Sequence, residues 1–151
     1  MDQSDVVAWL RSDAPWGEVP RVEETHAAYV FLVGERAFKL KKSVDLGYLD
    51  FSTPQKRRNV LERELTLNRR TAHEMYRRVL PITERDGKLA LDGQGRAVDF
   101  VLEMSRFADG ALLSELADQG TLDVAMVENL AHHIAAFHAA AEPMMGIDWL
   151  R

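Results

Sequence analysis

The stretch "GERAFKLKK", residues 34–42, sets Lys39 and Lys41 two positions apart among apolar neighbours. In a strand, where side chains alternate, both ammonium groups point to one face. About two dozen residues later "ERELTLNRR" offers Glu64, with Glu62 as the second choice, in a segment that has helical signals. A compact ammonium suits phosphate oxygens, and a carboxylate paired with it fixes a long flexible side chain. The chemistry on offer is anion binding of the phosphate class. The plain alternative leaves Lys39 as a surface strand lysine, Lys41 and Lys42 solvated, and Glu64 as one more helix charge beside Arg63 or Asn68.

Other reactive types are sparse. The chain has no cysteine, which excludes disulfides, thiolate metal sites and a cysteine nucleophile. His132, His133 and His138 invite a metal site, but no two of them are three or four apart, so one helix face cannot gather them. His138 fits better as a packed, hydrogen-bonded core histidine. The net charge of -5 conceals a basic stretch at 56–78, with Lys56, Arg57, Arg58, Arg63, Arg69, Arg70, Arg77 and Arg78. A solvated helix face explains it better than nucleic acid, because no aromatics interleave with the charges. No apolar run reaches bilayer length and the acidic N-terminus is no signal peptide, so the expectation is a cytoplasmic protein without a membrane segment.

The elements that must position these residues follow from period and punctuation. Residues 5–11, "DVVAWLR", predict a short amphipathic helix capped by Ser4. "RVEETHAAYVFLVGERAFKLKK" predicts two or three antiparallel strands with a tight turn near Gly34. Thr53 as N-cap and Pro54 at the first helical position then open a helix of about five turns, with Leu61, Leu65 and Leu67 on its apolar face. The period returns to two around Pro81, with turn signals at "RDG" and "DGQG". From Phe107 onward the pattern is helical: a short helix stopped by Gly120, then one capped by Asp123 and ended before Pro143, with Val127, Leu130, Ile134, Phe137 and Ala141 on one face. Strands, one helix, strands, a connector and helices make an α+β fold, not a doubly wound sheet.

In their order and spacing, "VFLVGERAFKLKK", "LDFSTPQKRRNVLERELTLNRR", "VDFVLEMSRF" and "LAHHIAAFH" resemble the aminoglycoside-phosphotransferase-like family of the protein-kinase-like fold, in a bacterial branch often fused to a P-loop kinase domain. The resemblance covers roughly residues 20–142. It implies an N-terminal helix and linker at 1–20, a kinase-like N-lobe and hinge at 21–107, and the start of a helical C-lobe at 108–151, truncated before the catalytic loop. It also implies an ATP site. Lys39 would bind the α- and β-phosphates and Glu64 would pair with it. Met104 would guard the back of the adenine pocket. The Ser105 carbonyl and Phe107 N–H would meet the adenine edge, and Thr25 and His26 would lie over the phosphates.

Two departures from the family shape the functional expectation. The loop at Thr25 is not glycine-rich, so backbone amides do not close on phosphate there. None of the five histidines is followed by x-Asp, so the hydroxyl-orienting and magnesium-binding groups are missing, and "DFV" at Asp99 precedes the hinge. The expected function is the nucleotide-binding half of a small-molecule phosphotransferase, inactive alone, with magnesium entering only with a later part. Its acceptor would be a hydroxylated small molecule of unspecified identity, and exposed C-lobe helices would favour self-association. A non-catalytic nucleotide- or protein-binding module is the alternative, and nucleic-acid binding through the 56–78 face is a further one.

Overall fold

A computed structural model describes residues 2–141 of the 151-residue chain. The chain divides into two compact units, residues 1–107 and 108–151. The first unit holds six antiparallel strands in the order β1-β2-β3-β6-β4-β5: β1 (Arg21–Glu24), β2 (Ala28–Val33), β3 (Arg36–Lys41), β4 (Tyr76–Arg85), β5 (Lys88–Leu91) and β6 (Arg96–Ser105). Helix α1 (Gln3–Arg11) precedes them, and α2 (Pro54–Asn68) lies between β3 and β4. The protein is thus α+β, with β2, β3 and β6 all in one sheet.

Local chemistry sets the turns. Between β2 and β3 only two residues intervene, and Gly34 takes the positive φ (50°) of the first turn position. Between β4 and β5 both loop residues, Asp86 and Gly87, have positive φ, the hairpin turn that matches strand twist. Pro81 lies inside β4. It is tolerated because β5 pairing starts one residue later, at Ile82, and the Pro81 carbonyl accepts from Asp92 N at 2.8 Å beyond the end of β5.

Strand alternation splits the first unit's interior in two. On one sheet face Phe31, Phe38, Leu40, Leu80, Ile82 and Val101 are buried with Val6 and Leu10 of α1. Trp16 closes this layer, its ring 4.5 Å from Phe38 and its indole N–H donating to Leu10 O. On the other face Phe100 and Leu102 pack with Leu61 of α2, flanked by Leu65, Val79 and Met104. Since β3 pairs Lys39 with Leu102, Lys39 and Lys41 belong to the α2 face.

Several sequence expectations are corrected. Helix α1 starts at Gln3 and is capped by Asp2, not Ser4, because the Asp2 carboxylate accepts from Ser4 N and Asp5 N while Asp5 returns a bond to Asp2 N. Helix α2 is 15 residues long, shorter than five turns, and Leu67 is exposed, since the inward stripe runs through Arg57, Leu61, Glu64 and Leu65.

The second unit contains α3 (Leu113–Asp118) and α4 (Val124–Ala140), the latter capped by Asp123, whose carboxylate accepts from Met126 N at 2.8 Å. Neither helix buries a residue. The face of Val127, Leu130 and Ile134 is exposed, and so is His138, which is therefore no core histidine and stands with its ring 5.9 Å from that of Phe137. Pro143 lies outside the described residues.

Candidate functional site

The site begins with the α2 register. Leu61 must be buried against Phe100 and Leu102, and a helix repeats every 3.6 residues, so Glu64 lies on the same stripe while Glu62 turns outward. Glu62 pairs instead with Arg58, one turn earlier, at 2.8 Å. Opposite Glu64, β3 presents Lys39 and Lys41. Lys39 Nζ lies 2.6 Å from Glu64 Oε1, and Lys41 Nζ lies 2.8 Å from Oε2. One half-buried carboxylate is shared by two ammonium groups. Burial pushes the Glu64 carboxyl up, but the hydrogen bonds from Lys39 and Lys41 outweigh it and hold it below the usual glutamate value. With three charges summing to +1, the group attracts anions.

Lys41 and Lys42 are not solvated bystanders. The Lys41 side chain is 12 % exposed against 26 % for Lys39, and its ammonium lies 5.5 Å from the Phe51 ring centre. Lys42 pairs with Glu24 at 2.7 Å and lies over Tyr29. A second charged cluster, which the sequence reading did not foresee, holds α2 in place. Arg57, buried, bonds Asp99 in bidentate fashion (Nε–Oδ1 2.8 Å, NH2–Oδ2 2.9 Å) and donates to Phe51 O. Gln3 of α1 donates to Asp99 Oδ2 at 2.8 Å and to Lys41 O at 2.9 Å. An arginine on the apolar stripe of α2 and an aspartate inside "VDFVLEM" were the signals available: charges at core positions must find each other.

The remaining site residues are spread along the same sheet. Met104 flanks the Leu61–Leu102 layer at the end of β6. Ser105 N donates to Met75 O, the Ser105 hydroxyl donates to Glu74 O, and Arg77 Nε donates to that hydroxyl, so the segment expected to meet adenine is tied to the entry of β4. Phe107, half exposed, closes the first unit. Thr25 organises the β1–β2 turn, where its hydroxyl accepts from Ala28 N, and His26 is exposed at that turn.

Many cations of the 56–78 stretch are engaged. Lys56 pairs with Asp50, Arg57 with Asp99, Arg58 with Glu62, and Arg78 with both Glu103 and Asp92. Arg69 donates to the carbonyls of Tyr76 and Arg77. Buried Glu103, bridged by Arg36 and Arg78, is pushed up by burial and brought below its usual value by those two guanidinium groups. No group of acidic or histidine side chains able to hold a metal occurs among the described residues. Two concavities lie elsewhere: one of about 610 Å³ lined by Trp9, Pro15 and Leu89, and one of about 460 Å³ lined by Gln3, Arg11 and Tyr29.

No helix among the described residues is long and apolar enough to cross a membrane. No family model and no solved structure matches the chain. It is similar to proteins described as uncharacterized from Mycobacterium bovis and from two strains of Mycobacterium tuberculosis, each 32% identical over 127 residues. That match covers 84% of this chain and 24% of each relative, so the chain spans about a quarter of the length of these curated relatives.

Proposed function

We propose that the α2 face of the sheet binds the phosphates of ATP, and that the chain is the nucleotide-binding half of a small-molecule phosphotransferase of the aminoglycoside-phosphotransferase-like kind. On this reading residues 21–107 are a kinase-like N-lobe. The observation that carries it is the 2.6 Å pair between a strand lysine and an inward helix glutamate, Lys39 and Glu64, on a face with net positive charge. Lys39 meets the α- and β-phosphates, the Ser105 carbonyl and Phe107 N–H meet the adenine edge, Met104 backs the base, and Thr25 and His26 lie over the phosphates.

The three most buried carboxylates of this unit do not fit a magnesium site. Glu64 is committed to two lysines, Asp99 to Arg57 and Gln3, and Glu103 to two arginines. On this reading residues 1–151 alone hold ATP weakly and transfer no phosphoryl group.

The test is isotope-labelled ATP with the purified chain, magnesium and a panel of hydroxylated small molecules, beside a direct binding titration. Weak ATP binding that Lys39→Ala reduces at least tenfold, and Lys42→Ala leaves nearly unchanged, is expected. Turnover that survives Lys39→Ala would place the catalytic group elsewhere. The nucleic-acid alternative has less to draw on, because the 56–78 cations are largely paired; tight, steeply salt-dependent DNA or RNA binding would revive it.

A further inference from the structure

We infer that Lys41 is a positioning residue for this site: it retains Glu64 while Lys39 turns to the phosphates of a ligand. The inference rests on the phosphate reading above for its binding arm and on geometry alone for its stability arm. A half-buried carboxylate whose only counter-ion leaves would be bare, and a bare buried charge is strongly disfavoured. Lys39 thus faces a conflict in any site with one lysine, between its glutamate and the phosphate. Here the two oxygens of Glu64 are divided, Oε1 to Lys39 and Oε2 to Lys41, so one bond can open without stripping the carboxylate.

The two lysines are not equivalent. The backbone carbonyl of Lys41 is held by Gln3, which also holds Asp99. Its ammonium stands over Phe51, whose carbonyl is fixed by Arg57. It is also the less exposed of the two side chains. Lys41 is built into the α1–α2 network, and Lys39 is the arm with room to move. Lys39 can therefore rotate away at low cost, and Glu64 stays aimed at the sheet.

The experiment compares the 151-residue chain with Lys39→Met, Lys41→Met, Glu64→Gln and the Lys41→Met/Glu64→Gln double variant. Each is melted thermally and titrated with ATP and with inorganic triphosphate. Lys39→Met should lose affinity tenfold or more with a small change in Tm. Lys41→Met should lower Tm more and weaken binding severalfold, because Lys39 must then serve Glu64. Adding Glu64→Gln removes that demand, so the double variant should recover folding and part of the lost affinity. A double variant that folds but binds as weakly as Lys41→Met would show that Lys41 touches phosphate itself, and would overturn the positioning role. If the unaltered chain binds neither ATP nor triphosphate, the phosphate reading fails, and the melts still decide the retaining role. Lys39→Met destabilising as much as Lys41→Met would overturn it.

Discussion

At Glu64 burial disfavours the charged carboxylate, while two ammonium groups within 2.8 Å favour it, and the pairing prevails. A carboxyl held below its unfolded value adds stability that is complete above that value and is lost as pH falls through the folded one. For Glu64 and Glu103, whose ordinary value is 4.5, the loss therefore falls below pH 4.5. Glu64→Gln and Glu103→Gln should each lower stability at pH 7, and the deficit should shrink on acidification below 4.5. Urea melts at pH 7, 5 and 3 check this; a deficit that grows toward pH 3 would refute the assignment. Exposed Asp50, brought down to about 2 by its bonds from Lys56 and Ser52, would extend the acid limb further.

Helix α2 is the element that aims Glu64, and it is fixed at both ends. Thr53 caps its start, Arg57 locks its first turns to Asp99, and Arg69 at its end donates to the first carbonyls of β4. Arg57→Met would leave Asp99 as an uncompensated buried charge, at a cost of about 3–5 kcal/mol. Replacing both partners, Arg57→Met with Asp99→Leu, should recover most of that, as judged by denaturant midpoints. Leu61→Ala, which empties the fully buried contact between α2 and the sheet, should cost about 2–5 kcal/mol. Arg58→Ala, whose partner Glu62 is exposed, should cost well under 1 kcal/mol, roughly the worth of a helix surface pair.

Across the whole molecule burial is uneven. Among the described residues every fully buried side chain lies at or before Phe107, and α3 and α4 bury none. A chain ending at Phe107 should therefore keep the thermal transition of residues 1–151 within a few degrees, as followed by circular dichroism. A collapse of that transition would mean that residues 108–151 complete the core. Val124, Val127, Leu130 and Ile134 leave an exposed apolar stripe on α4. Exposed stripes of this kind drive association, so sedimentation should show concentration-dependent self-association of residues 1–151 that residues 1–107 lack.

By itself the sequence determined what local physics controls. The period of two marked β2, β3 and β6, the Thr53–Pro54 pair opened α2, Gly34 and Asp86–Gly87 made the turns, and the order of elements implied α+β. Each signal acts within a few residues, through alternation, capping or φ preference. Lys39 with Glu64 was legible because the lysine lies on a strand face and the glutamate on the stripe of Leu61. The tertiary structure alone decided which other charges go inside. Lys41 joins Glu64, and Arg57 finds Asp99 across 42 positions, because β3 pairs with β6 and α2 packs on β6 and β4. It likewise turned Leu67 outward and began α1 at Gln3, which ties that helix to Lys41 and Asp99. A buried charge is tolerated only where a distant partner arrives in bonding geometry, and that arrival is a property of the folded chain, not of any local stretch.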